Sequence, residues 1–136
     1  MALPVEEAVL LLCDRVTRDT KSGKAVLDGV FDRVLVSSYP GGLNCALYFR
    51  FYINGTQPSQ VPIRLAIHGP KGDVEQLPGF SVGVQPGDRV EGAANFESLP
   101  IPTEGRYIIA LSMGDVEVGR VRFEAISSGG PHGGAE

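Results

Sequence analysis

Residues 104–126 read EGRYIIALSMGDVEVGRVRFEAI, and this stretch decides the fold class. Every odd position from Tyr107 to Met113 carries a large apolar side chain, so these side chains share one face of a strand. The Gly114-Asp115 pair provides a tight turn, after which a second apolar run continues to Ile126. The pattern predicts an antiparallel hairpin. The apolar parity changes within the second run, which requires one extra residue and predicts a bulge at Gly119-Arg120.

The same rhythm recurs upstream, where Gly and Pro separate short alternating runs about every ten residues. All odd positions from Cys45 to Ile53 are apolar, and residues 61–68 repeat the scheme. We therefore expect an all-β fold: a single antiparallel β-sandwich of about eight strands, of Ig-like, C2-like or jelly-roll type. The run from Glu7 to Val16 fits a strand or a helix by its spacing, and its branched residues favour a strand.

Length and composition bound the organisation of the chain. Its 136 residues, 43% of them apolar, suit one folded domain, which we place at residues 1–126. Residues 127–136 are Ser, Gly, Pro, His, Ala and Glu, which predicts a disordered tail. The net charge of −4 and the scattered cations argue against nucleic acid. The start of the chain lacks the features of a secretory signal, and no run is long enough to span a membrane, so a cytoplasmic location is expected.

Neither cysteine is placed for disulfide or zinc chemistry. Cys13 alternates with apolar residues of the first run, and Cys45 with those of the clearest strand. Buried free cysteines behave as small hydrophobic residues, and thiols stay reduced in the cytosol. We expect two reduced thiols in the interior.

Two motifs invite an enzymatic or metal-binding interpretation. Residues 79–83 (GFSVG) match the G-x-S-x-G nucleophile motif, but flanking prolines and alternating apolar residues predict a strand around Ser81 where the motif needs a helix. The histidines, His68 and His132, are poorly placed to activate it. The aspartates at 14, 19, 28 and 32 are interleaved with basic residues that would neutralise a calcium site. We therefore expect no catalytic, cofactor or metal site.

Several fragments, taken in order, carry a resemblance to a known family. They are LLCD at 11–14, GK at 23–24, LDGVFD at 27–32, YP at 39–40, LYFR at 47–50 and GRY at 105–107. Together they resemble an uncharacterised bacterial family of short all-β proteins, classed as a domain of unknown function, from about Ala8 to Ala125. The resemblance implies a bacterial source and a stand-alone sandwich of about eight strands. It brings no catalytic residues to transfer.

One surface is singled out by the strand pattern. If the odd residues of the clearest strand point inward, Tyr48, Arg50 and Tyr52 share its opposite face. If the next strand pairs with it as a hairpin, Arg64 and His68 flank them. Tyr and Arg are enriched at binding hot spots. We therefore hypothesise a protein-interaction or scaffolding module that binds an unknown protein partner, or a second copy of itself, through this face. The competing interpretation is that these side chains are ordinary solvent-exposed residues of a sheet. A small-molecule or carbohydrate-binding module is the alternative, and a hydrolase using Ser81 a remote one.

Overall fold

The computed structural model describes residues 5–54 and 59–127, and 74% of them lie in strands. No helix occurs in that part of the chain, which confirms the all-β class and shows that the first run is a strand. The strands are β1 (Val5–Cys13), β2 (Arg15–Arg18), β3 (Ala25–Asp28), β4 (Arg33–Val36), β5 (Gly41–Ile53), β6 (Gln60–His68), β7 (Val74–Gly83), β8 (Arg89–Ile101), β9 (Gly105–Met113) and β10 (Val116–Ser127).

These strands form three sheets in the described ranges. One has the order β1-β5-β8, another the order β4-β10-β9-β6-β7, and β2 and β3 form a separate hairpin. The predictions of about eight strands and of purely antiparallel pairing are wrong, because residues 5–54 and 59–127 contain ten strands and β4 runs parallel to β10. A local apolar pattern identifies a strand but does not specify its partner, which is why the parallel pair could not be anticipated.

Residues 25–36 form two short strands, β3 and β4, that are separated by a turn. Gly29 has a φ of +69°, and a Cβ added there would lie 2.2 Å from Oδ2 of Asp14. Only glycine accepts both the left-handed conformation and the close approach without strain. The chain therefore turns sharply after β3, and β4 joins the five-stranded sheet.

The three-stranded and five-stranded sheets bury a common hydrophobic core. Phe49 and Phe51 of β5 are fully buried, and the ring of Phe49 lies 6.0 Å from that of Phe80 on β7. Gly92 of β8 pairs with Phe49, and a Cβ at position 92 would come within 2.8 Å of the Phe49 ring. Glycine at this position leaves room for the aromatic ring between the sheets.

The closing hairpin forms as expected, with β9 antiparallel to β10. The Tyr107 hydroxyl donates to the carbonyl oxygen of Thr103 at 2.5 Å, and its ring stacks on Phe123 at 5.3 Å. The pairing register shifts between Glu117 and Gly119, so the extra residue is Val118. The predicted bulge is present, but it lies just before the predicted Gly119-Arg120 position.

The C-terminal boundary differs from the expectation by one residue. Ser127 was placed in the tail, but it ends β10, and its hydroxyl donates to Oε1 of Glu104 at 2.9 Å. The rest of the predicted tail, residues 128–136, lies outside the described residues. Within the described ranges, no helix has the length and apolar character needed to cross a bilayer.

Candidate functional site

A cleft opens between the outer face of the three-stranded sheet and the β2–β3 hairpin. Its volume is about 510 Å³, and we call it the hairpin cleft. The hairpin follows β1 directly and contacts β5, so it leans over the sheet. Residues from β1, β3, β5 and β8 and from the hairpin turn line the cleft: Val9, Leu11, Lys24, Ala25, Leu27, Tyr48, Arg50, Arg89 and Glu91. The apolar residues come mainly from β1 and β3, and the charged residues mainly from β5 and β8.

Glu91 is the buried charge of this cleft, with only 5% of its surface exposed. The Tyr48 hydroxyl donates a hydrogen bond to Oε2 of Glu91. Both Arg89, at 2.6 Å, and Arg18, at 3.0 Å, donate from Nη2 to the other carboxylate oxygen, Oε1. Because Arg18 belongs to β2, this carboxylate ties the hairpin to the sheet.

The network fixes the ionisation of its members. Burial alone raises the pKa of Glu91, but the hydrogen bonds from Tyr48, Arg18 and Arg89 outweigh it and hold the pKa below its ordinary value. Burial, together with the neighbouring carboxylate, raises the pKa of the Tyr48 hydroxyl. At neutral pH Glu91 is therefore an anion, and Tyr48 remains a proton donor.

The side chain of Arg50 lies beside this network but makes no ion pair with Glu91. Arg50 pairs with Glu91 in the backbone register of β5 and β8 and is half-buried, but both Glu91 oxygens are bound by other groups. The Nε of Arg50 is buried and has no hydrogen-bond partner in the described part of the chain, and the same is true of Nε of Arg89. A buried donor without a partner costs free energy. Because Nε itself is out of reach, an acceptor in the cleft binds Arg50 through the terminal nitrogens of the guanidinium.

The five predicted interaction residues do not form one face. Tyr48 and Arg50 line the cleft, although Tyr48 is only 7% exposed, and Tyr52 follows them on the same face. Arg64 and His68 lie on β6, which pairs with β7 and β9 in the other sheet. The β5–β6 hairpin on which the combined face depended does not form, since β5 pairs with β1 and β8.

Arg64 and His68 instead line a depression of about 310 Å³ on the outer face of the five-stranded sheet. The Glu117–Arg120 ion pair lies beside them, with Arg120 Nε 2.8 Å from Glu117 Oε2 and both side chains about half exposed. This second face combines polar side chains with Ala66 and Ala110, and no buried charge lies among the residues that line it.

Sequence reasoning missed Glu91, Arg89 and Arg18, which hold the cleft together. A signal for two of them was present, because Arg89 and Glu91 flank the buried Val90 and must therefore share the outer face of β8. No local pattern could place Arg18 beside them. Its contact with Glu91 spans 73 positions and depends on how the hairpin folds back.

Ser81 does not lie in the setting that its motif requires. It is an exposed residue within β7 and pairs with Pro62, while His68 pairs with Val74. Pro62 and His68 are six positions apart on β6, which corresponds to about 20 Å at the rise of a strand. The strand-to-helix turn of a nucleophile elbow is absent from the described residues. The other histidine, His132, lies outside them.

The aspartates considered for calcium are dispersed. Asp28 binds Arg15 at 3.0 Å, and Asp19 accepts hydrogen bonds from the hydroxyl and backbone of Ser22 in the hairpin turn. Within residues 5–54 and 59–127, no group of three or more His, Cys, Asp or Glu side chains is arranged to hold a metal ion.

Both cysteines are free and buried, as predicted. Burial, followed by the nearby Cys13 and Asp14, raises the pKa of the Cys45 thiol to about 12. Cys13 differs in position: it pairs with Ala46, so it lies on the outer side of the sheet, whereas Cys45 belongs to the common core. The two thiols therefore lie on opposite sides of the sheet, and the prediction that both lie in the interior between the sheets is wrong for Cys13.

Comparison with known proteins supplies a family but no activity. The model described as "Family of unknown function (DUF6941)" matches residues 8–126. No curated protein matches the chain. The matched span agrees with the extent of the resemblance recognised in the sequence, and it includes every residue that lines the hairpin cleft. The chain belongs to the DUF6941 family of unknown function.

Proposed function

We propose that the protein is a non-enzymatic interaction module that binds another polypeptide at the hairpin cleft. The observation that carries this proposal is the construction of the outer face of the three-stranded sheet. A buried carboxylate, Glu91, holds a hairpin above that face and leaves an open cleft of about 510 Å³. An ordinary solvated sheet face has no need of a buried ion network, which is costly to desolvate.

The residue types around the cleft also support a protein partner. Leu11 is 38% exposed at its edge, and Arg50 and Tyr52 lie half-buried on the same sheet face. Protein interfaces combine apolar area with Tyr and Arg side chains that bury a large surface and keep polar tips. The two edges of the cleft offer both kinds of group to one partner.

A small-molecule-binding module is the second candidate, because the cleft volume lies within the range typical of ligand pockets. A carbohydrate ligand is less well supported, since the chain has no Trp to provide a stacking platform. Little supports the remote candidate, a hydrolase using Ser81, given the position of that residue within β7.

The proposal is tested by comparing which proteins three immobilised forms retain from an extract of the native host. The cleft variant carries Leu11→Ser with Tyr52→Ser, and the control carries Arg64→Ser with His68→Ser on the other sheet. Tyr48 is kept because it binds Glu91. We expect the wild type and the control to retain the same protein and the cleft variant to lose it. Equal retention by all three forms contradicts the proposal, and a bound small molecule in native mass spectrometry favours the second candidate.

Three further expectations accompany this proposal. A bacterial source is supported by the resemblance of the sequence, and a cytoplasmic location by the two buried free thiols. The description of the two larger sheets as one β-sandwich is supported by their common core.

A further inference from the structure

Among the described residues, Arg50 and Arg89 are the two arginines whose surface is partly buried, and only Arg89 makes an ion pair. Arg15, Arg18, Arg89 and Arg120 each make an ion pair with a carboxylate. The side chain of Arg50 is half-buried but makes no ion pair with any described residue, and its Nε is buried without a hydrogen-bond partner among them. Folding therefore removes part of the Arg50 guanidinium from water without providing a hydrogen-bond acceptor for it within the described residues.

The charges around Arg50 leave the hairpin cleft positive. Arg18, Lys24, Arg50 and Arg89 face a single carboxylate, that of Glu91. Asp28 is paired with Arg15, and Glu6, opposite Tyr52, is not among the residues that line the cleft. The cleft thus concentrates positive charge on a chain whose net charge is −4. This complementarity favours an anionic group over a neutral or cationic one.

The apolar side of the cleft narrows the class of ligand. Val9, Leu11 and Leu27 line it within the same 510 Å³, so a bare inorganic anion would leave this surface uncovered. An acidic residue beside an aliphatic residue in a polypeptide satisfies both halves at once.

From these observations we propose that the hairpin cleft recognises an acidic side chain of its polypeptide partner. The carboxylate of that side chain binds Arg50, and a neighbouring aliphatic side chain packs on Leu11. This inference rests on the proposed function and adds the chemistry of the partner to it. Guanidinium–carboxylate pairs provide charge-assisted, directional hydrogen bonds, which suits a residue that fixes the register of a bound segment.

The test uses a random dodecapeptide display library panned on the immobilised full chain. We expect the enriched peptides to share an Asp or Glu beside Leu, Ile or Val. Synthetic peptides of the enriched sequences are then compared with versions in which the acid is replaced by its amide. The amide versions should bind at least about tenfold more weakly, the loss typical of removing one charged partner from a hydrogen-bonded pair.

Protein variants locate the contact. Arg50→Gln should lower the affinity for the acidic peptides by a similar factor. This variant should also bind the acid and amide versions of a peptide equally well. The matched control is Arg64→Gln, which replaces an exposed arginine on the other sheet. This variant should bind the acidic peptides as tightly as the wild type does. Because the peptide acid-to-amide change requires no altered protein, the inference remains testable if Arg50→Gln fails to fold.

The outcomes separate this inference from the proposed function. If the enriched peptides lack an acidic residue and their binding is lost in Leu11→Ser, the inference of an acidic ligand is wrong. The proposal of an interaction module is then still supported. If no enriched peptide depends on Leu11 or Arg50, both fail. Inorganic phosphate that binds as tightly as the acidic peptides also overturns the inference, since it indicates a bare anion site.

Discussion

The two faces of β5 are both largely buried, but for opposite physical reasons. On the inner face, Leu47, Phe49 and Phe51 are completely inaccessible and belong to the common core. On the outer face, Tyr48 is only 7% exposed, yet its hydroxyl binds the ionised Glu91. The inner face is stabilised by apolar area removed from water, and the outer face by hydrogen bonds to a charge.

This difference has consequences for function. The inner contacts depend on shape and volume, so pH and salt affect them little. The outer contacts depend on a carboxylate and on guanidinium groups from β2 and β8, so they respond to protonation and to competing charges. If a partner binds at the outer face, it therefore acts where the structure is most sensitive to charge.

The largest effect is expected from Phe49→Ala on the inner face. Removing this ring leaves a cavity between the two sheets, and the free energy of unfolding should fall by about 3–5 kcal/mol. Urea denaturation measured by circular dichroism gives the value. Leu35→Ala is the control, because Leu35 is 67% exposed on β4 and its loss should cost less than about 0.5 kcal/mol. Equal losses at the two positions would contradict the placement of the core.

Glu91→Gln on the outer face should have the next largest effect. The amide keeps the shape of the side chain but removes the charge that binds Arg18 and Arg89, so the expected loss is about 1–3 kcal/mol. The loss remains below that of Phe49→Ala because both arginines are partly exposed and can regain water. A neutral or stabilising result would show that desolvation cancels the network.

The pH dependence of this variant checks its cause. The pKa of Glu91 is held below its ordinary value of 4.5, so the ionised carboxylate stabilises the fold above that value. This contribution is lost as the pH falls through the lowered pKa of the folded state. The difference in unfolding free energy between the wild type and Glu91→Gln should therefore be complete at pH 7 and shrink in acid. A difference that does not change with pH would point to altered packing.

The difference between the two faces of β5 also explains which features could be predicted from the sequence. The alternation in β5 predicts both of its faces correctly, because the period of a strand is a local property. It does not predict that Tyr48 is buried, since the covering hairpin and Glu91 come from distant parts of the chain. Likewise, Arg64 and His68 flank the outer face of β5 only if β5 and β6 pair as consecutive strands often do, whereas these two strands belong to different sheets.

Tyr48→Phe isolates one hydrogen bond of the outer face. The ring and its packing stay, while Glu91 loses the donor to Oε2 and keeps the arginines on Oε1. The free energy of unfolding should fall by about 1 kcal/mol. In a double-mutant cycle with Glu91→Gln, the two losses should be less than additive, since they remove parts of one interaction. Full additivity would show that the two side chains act independently.

The smallest effect is expected from Glu117→Gln on the exposed face of the other sheet. The hydrogen bond from Arg120 lowers the pKa of Glu117, so this carboxylate also stabilises the fold above its ordinary pKa, and the contribution is lost in acid. Both side chains are about half exposed, however, so the loss should be below about 1 kcal/mol. Added salt separates the two carboxylates: about 1 M sodium chloride should abolish the effect of Glu117→Gln and leave most of that of Glu91→Gln, because ions screen exposed pairs far better than buried ones. If salt reduces both effects equally, Glu91 is as accessible to ions as Glu117, and the outer face of β5 is then an ordinary solvated surface.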